Sequence, residues 1–162
     1  YANYFTLTQN HAKIMHAYCV ANPVGWNGYN DECWGLTASY TRNSNGSVGY
    51  TDHKPGNDRG VITPTAALSS FPFTPEESMK ALRYFYENPE WKDRLIGVAG
   101  PYDAFSPHHD WVTKRYLAID QGTIAPMIEN HRTGLLWNLF MQAPEVQSGL
   151  QTLGFTSTQH GF

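Results

Sequence analysis

The chain has 162 residues, a net charge of −3, and 15% charged against 14% aromatic residues. That length suffices for one domain with a real core, and the mild acidity lacks the basic footprint of a nucleic-acid or anionic-membrane binder. No apolar run approaches the roughly 20 residues of a membrane span.

The chain opens at Tyr1, with neither Met nor a signal-peptide pattern, and reads as a processed or excised piece. Residues 5–21 form the first predicted helix, with Thr6 or Thr8 as cap and Leu7, His11, Ile14 and Tyr18 on one face. Asn22-Pro23 ends it. Residues 22–63 hold no long periodic run, and a loop of that length in a compact domain is functional or disordered; its aromatics argue against disorder. Its densest part is GYNDECWGLTAS at 28–39, where Asp31 and Glu32 adjoin Trp34. A flat ring beside carboxylates suits a sugar site, and it equally suits a solvated acidic turn beside a core Trp. NSNGSVGY at 43–50 reads as a turn or short hairpin, and Asp52, His53, Lys54, Asp58 and Arg59 as a solvated tip.

TPTAALSS at 63–70 fits a short helix capped by Thr63 with Pro64 at its first position. Thr74-Pro75-Glu76-Glu77 reads as a capping box for a helix running to about Asn88. Its buried stripe is Met79, Leu82 and Tyr86, with Glu76–Lys80 and Arg83–Glu87 as exposed pairs. Residues 95–122 are again irregular, punctuated by Gly100-Pro101 and Ser106-Pro107. His108, His109 and Asp110 are adjacent in sequence, a spacing unsuited to one metal ion, and no cofactor motif is present. Cys19 and Cys33 either form one disulfide or stay as two buried thiols.

YLAIDQGTIAPMIENHRTGLLWNLFM, residues 116–141, reads as a loop bearing Asp120 and Gln121, then one long helix from 123 to 142. Gly122 permits the turn, Thr123 caps, and Pro126 falls in the first turn, where a missing N–H costs nothing. The helix is apolar nearly all round, the mark of a buried one. Glu129 among those apolar residues is either part of a site or the structural partner of an arginine. After Pro144, residues 145–162 read as a short helix and a polar tail.

Four segments, CWGLTAS at 33–39, TPTAALSSFPFTPEESMKALRYFY at 63–86, YDAF at 102–105 and IDQGTIAPMIENHRTGLLWNLFM at 119–141, together resemble the glucoamylase-like family of bacterial carbohydrate enzymes. That family includes endo-β-1,2-glucanases and a domain of cyclic β-1,2-glucan synthases. The resemblance implies an all-α fold, an (α/α)6 toroid of helical hairpins, with a site formed by long loops. It covers the C-terminal part of the family domain, so residues 1–162 are expected to be a C-terminal portion. A missing N-terminal half, or another chain, would then complete the ring. His131 and Thr123 depart from the Tyr and Pro that the family more often carries there.

The implied activity is hydrolysis of a β-linked glucan, foremost β-1,2-glucan, by carboxylate acid/base catalysis without cofactor or metal, in the periplasm or outside the cell. Glycoside hydrolysis uses two carboxyl groups. Asp120 is expected as base or water-positioning group, and Glu129 as the acid. Glu32, Asp103 and Gln121 are assigned to substrate hydroxyls and Trp34 to stacking. The rival readings are a non-catalytic glucan-binding module, a glucan-transferring domain, and a scaffold fragment whose aromatics are core.

Overall fold

The structure, a computed structural model, describes residues 2–157. The chain divides between Ile128 and Glu129 into two compact units. Its described residues form helices joined by three small two-stranded antiparallel sheets, so the all-α expectation holds only for the larger elements.

Helix α1 spans Tyr4–Ala21. Its cap is Asn3, whose side chain accepts from the Thr6 N–H at 3.0 Å, rather than Thr6 or Thr8. Asn22 closes it in the left-handed region at φ 43. The buried line is Ala12 and Cys19, while Leu7 and Ile14 face outward. The small residues bring α1 close to the core, and Met15 and Tyr18 pack against it as well.

The stretch expected to be irregular contains hairpin β1 (Ala38–Arg42) and β2 (Val48–Asp52), with Tyr40 opposite Tyr50. The turn predicted at 43–50 closes it, with the Asn43 N–H donating to Ser47 O at 2.9 Å. Beyond it, Asp52 and Lys54 form an exposed pair at 2.5 Å. His53, however, is buried, and Asp58 accepts from Tyr29 Oη at 2.8 Å, so this segment is not wholly a solvated tip.

Helix α2 is Pro64–Leu68. Gly35 packs against its start: at φ +141 its backbone suits glycine, and an added Cβ would lie 2.5 Å from Thr63 O. Helix α3 is Pro75–Glu87, but the capping box does not form. The Thr74 hydroxyl turns instead to Ser70 O at 3.2 Å and Ser78 Oγ at 3.1 Å. The buried stripe is Ser78, Ala81 and Phe85, shifted from the expected one, which leaves Met79 and Tyr86 exposed. Lys80 pairs with Asp31 at 2.5 Å rather than with Glu76.

Helix α4 (Lys92–Leu95) leads into β3 (Ile96–Gly97), β4 (Gly100–Pro101), β5 (Phe105–Ser106) and β6 (Trp111–Val112). Here Phe105 bridges to Ile62 and anchors the core. Its ring meets Phe85 edge-on at 5.7 Å and Trp91 at 5.3 Å. Cys19 and Cys33 are both free and buried, which settles the alternative left open for them. Burial pushes the Cys19 thiol up to about 12 and the Cys33 thiol up as well.

Helix α5 spans Ala118–Thr133 and starts before Asp120, so Asp120 lies in its first turn and Pro126 in its interior. There proline removes the N–H that would serve the Gly122 carbonyl. Thr123 is therefore not a cap. Its hydroxyl donates to Asp120 O at 3.0 Å. Ile124 and Ile128 pack against the core of the first unit. In the second unit, Gly134 at φ 69 separates α5 from α6 (Leu135–Met141), so the expected single helix is two. The Asn130 side chain accepts from the N–H groups of Leu136 and Trp137 at 3.0 and 3.1 Å and caps α6. Leu135, Leu136, Trp137, Leu139 and Phe140 are exposed. The apolar pattern is thus present but not buried within this chain. Helix α7 is Pro144–Thr152; the end of the expected polar tail, 158–162, lies outside the described residues.

Candidate functional site

The first unit brings two aspartates together. Asp103, on the link between β4 and β5, is 4% exposed. Its own N–H donates to Arg115 O at 3.0 Å, fixing the backbone, and its Oδ2 accepts from the Tyr40 N–H at 2.8 Å. That N–H is available because residues 40 and 50 face each other at a position where the ladder makes no bond. Asp120 enters from the first turn of α5, with its carbonyl held by the Thr65 hydroxyl at 2.6 Å. Asp103 Oδ1 and Asp120 Oδ2 are both buried, and neither meets an N–H or O–H donor among the described residues. The two carboxyl groups lie within reach of one hydrogen bond to each other, a bond that needs a proton on one of them.

Asp120 is pushed up to about 7 by its burial, then by the hydrogen bond to Asp103 and that group's negative charge. The N-terminal end of α5 favours an anion by only about 0.3–1 kcal/mol, less than one pKa unit, and does not reverse this. The Tyr40 N–H stabilises charge on Asp103. The arrangement therefore favours a proton on Asp120 up to about neutral pH.

Aromatic groups flank the pair. Tyr40 and Tyr50 meet edge-on at 6.3 Å, and the Arg115 guanidinium stands 5.3 Å over the Tyr40 ring. The Tyr50 ring is 58% exposed. Its phenol is raised by partial desolvation and then by the charges of Asp120 and Asp103, which marks it as their neighbour. A cleft of about 350 Å³ opens beside Asp120, lined by His11, Met15, Thr65, Phe73 and Thr123 among others.

The other residues singled out from the sequence lie elsewhere or are otherwise engaged. Trp34 borders the same cleft but is only 1% exposed, and its Nε1 donates to Glu77 O at 3.1 Å. It offers no free face for stacking and belongs to the core. Gln121 uses its amide N–H on Ala99 O, tying the β3–β4 hairpin to α5. Glu32 is exposed in a separate recess with Lys80, Arg83 and Tyr84 on α3. Glu129, in the second unit, pairs with Arg132 at 3.1 Å and accepts from the Thr133 hydroxyl at 2.7 Å, the geometry of the arginine-partner reading.

Tyr40, Tyr50 and Arg115 were not anticipated. The period-two alternation on either side of the turn at 43–47 carried the signal for the two tyrosines. Among the described residues no group of three His, Cys, Asp or Glu is placed to hold a metal ion, and no helix is long and apolar enough to cross a membrane.

Comparison with known proteins gives a consistent set of relatives. A family model described as "Putative glucoamylase" matches residues 1–144. An exo β-1,2-glucooligosaccharide sophorohydrolase of Parabacteroides distasonis is 45% identical over 94% of this chain, which spans only 20% of that protein. A Bacteroides uniformis structure described as a "putative glucoamylase" superposes with a TM-score of 0.91 at 54% identity, covering 100% of this chain and 37% of that one. An endo-β-1,2-glucanase from Chitinophaga pinensis, in complex with sophorotriose and glucose, gives 0.89 at 48% identity, covering 97% and 36%.

Proposed function

We propose, from the premise that the chain belongs to this glucoamylase-like family, that it forms part of a glycoside hydrolase acting on β-1,2-glucan. The Asp103–Asp120 pair is the observation that carries the reading. The support from relatives is that two of them are described as β-1,2-glucan-cleaving enzymes.

In this reading the pair has a single role. The acid and base of an inverting glycosidase stand about 6.5–9.5 Å apart, and those of a retaining one about 5–5.5 Å. Two carboxyls that hydrogen-bond to each other are closer than either, so Asp103 and Asp120 do not form the acid–nucleophile or acid–base couple. They act as one proton-holding unit. Asp120 delivers its proton to the leaving glycosidic oxygen. Asp103, anchored by the Tyr40 N–H, holds the compensating charge. The reading gives Asp120 the acid role in place of the base or water-positioning role expected from the sequence. Glu129 is then a structural partner of Arg132.

The second catalytic carboxylate comes, in this reading, from outside the chain. The chain spans about a third of the matched solved structures. The exposed apolar residues of α1 and α6 are the surfaces on which the remainder of an (α/α)6 toroid would rest. Action on an extracellular or periplasmic polymer fits this substrate. The test is to incubate the full-length protein with linear β-1,2-glucan and to measure reducing ends. Release that is abolished by Asp120→Asn supports the reading. Binding without release would leave a glucan-binding module in its place.

A further inference from the structure

β1 carries a second polar constellation at its C-terminal end. The alternation that buries Ser39 and Thr41 puts Tyr40 and Arg42 together on the opposite face. Their Cα atoms are about 6.6 Å apart by strand rise, so Arg42 stands one step along the strand from the acidic pair's anchor. From there the chain passes through Asn43 and Asn45 in the turn, and these line an open recess of about 550 Å³ with Arg42, Arg59, Trp26 and His109. That volume lies within the range of about 300–1,000 Å³ typical of ligand sites.

The recess presents unused donors. Arg42 and Arg59 make no ion pair or side-chain hydrogen bond among the described residues, whereas Arg94 and Arg132 are paired with Asp110 and Glu129. Trp26 Nε1 is buried without a partner. The indole is fixed edge-on to His108 at 4.8 Å, and an added Cβ on Gly60 would lie 2.7 Å from it. The one carboxylate lining the recess, Asp58, accepts at Oδ1 from Tyr29 Oη at 2.8 Å and the Gly60 N–H at 3.0 Å, while its Oδ2 is buried without a partner among the described residues. His109 is lowered from its ordinary value by burial and, among its neighbours, by His108 and Arg42, so it is neutral at pH 7. Guanidinium forks, side-chain amides and an indole edge as donors, with the one open oxygen of Asp58 as acceptor, match the vicinal hydroxyls of a sugar ring, which both donate and accept.

We propose that this recess is a distal glucosyl subsite, in which Arg42, Arg59 and the turn asparagines hold a sugar residue beyond those that meet the Asp103–Asp120 pair. The subsite rests on the β-1,2-glucan reading and makes the enzyme favour longer chains. Tyr40, which meets Tyr50 edge-on at 6.3 Å, precedes Arg42 by two residues on the same face of β1.

The experiment uses the full-length protein and a ladder of linear β-1,2-glucooligosaccharides, in wild type, Arg42→Ala, Arg42→Lys and Arg59→Ala. The readout is kcat/KM for the longest substrate divided by that for the shortest. Loss of a charge-assisted hydrogen bond to the distal sugar lowers that ratio about tenfold in Arg42→Ala. Arg42→Lys recovers part of it, and the pH profile stays in place. An unchanged ratio in folded Arg42→Ala and Arg59→Ala overturns the subsite. If wild type cleaves none of the ladder, the hydrolase reading fails on its own. Calorimetric titration with the longest oligosaccharide then decides the subsite: weaker binding by Arg42→Ala upholds it, and equal binding overturns it.

Discussion

Asp120 and Glu129 stand on the same helix, and their surroundings give them opposite chemistry. Asp120 meets another carboxyl in a buried setting and is pushed up to about 7. Glu129 meets an arginine and a threonine hydroxyl near solvent. The first arrangement destabilises the anion and stores a proton. The second is a half-exposed ion pair. A carboxylate's position on an apolar helix therefore says little about its role, and the groups that touch it say most.

The largest expected effect breaks the Asp120 side of the comparison. Asp120→Asn lowers kcat/KM on β-1,2-glucan by about a thousandfold, within the range of about 10²–10⁴ for losing a general acid. Steady-state kinetics with a check of folding by circular dichroism measures it. A loss under tenfold would remove Asp120 from the mechanism.

Trp34→Ala is the matching test for the core. Deleting a buried aromatic costs about 3–5 kcal/mol, so the variant melts well below wild type or fails to accumulate. A melting temperature within a degree or two of wild type, coupled to weaker glucan binding, would return Trp34 to the site.

The pH dependence sharpens the same contrast. Activity that needs protonated Asp120 falls as pH rises through about 7. In Asp103→Asn the like charge is gone, so this alkaline limb moves to lower pH. Stability follows the same sign. A carboxyl whose folded value is raised contributes stability below its ordinary value near 4, and that contribution is lost as pH rises through about 7. The melting temperature of Asp120→Asn relative to wild type should therefore climb from pH 5 to pH 8. A pH-independent difference would contradict the shared proton.

Smaller effects are expected at the flanks. Tyr50→Ala raises KM on the glucan several-fold, in keeping with about 0.5–1.5 kcal/mol for an aromatic contact, and leaves kcat less affected. Glu129→Gln and Arg132→Ala, on a pair whose side chains are 31% and 69% exposed, change stability by no more than about 0.5 kcal/mol in thermal unfolding. A thousandfold loss of activity in Glu129→Gln would invert the comparison.

Much of the fold was legible because it is local. The helices at Tyr4–Ala21, Pro64–Leu68 and Pro75–Glu87 and the turn before Val48 follow from periodicity, Pro and Gly. Capping was misread where a hydroxyl found a better partner, as Thr74 did in Ser70 O and Ser78. The helix break at Gly134 was missed because an apolar pattern running through a glycine looks continuous. Asp103 and Asp120 were both recognised as candidates, but not their contact. It joins a loop position to the first turn of α5, and nothing local encodes such a meeting. Trp34 was ambiguous for a physical reason: an indole beside carboxylates is common to sugar sites and to core edges.

The most direct test of the shared proton is a carboxyl ¹³C NMR titration of the full-length protein labelled at aspartate, compared with its Asp103→Asn variant. One aspartate titrating near pH 7 in wild type, and moving to lower pH in Asp103→Asn, is the result expected from the hydrogen-bonded pair. Titration of every aspartate below pH 5 in wild type would show two independent carboxylates, and the acid role of Asp120 would fall with them.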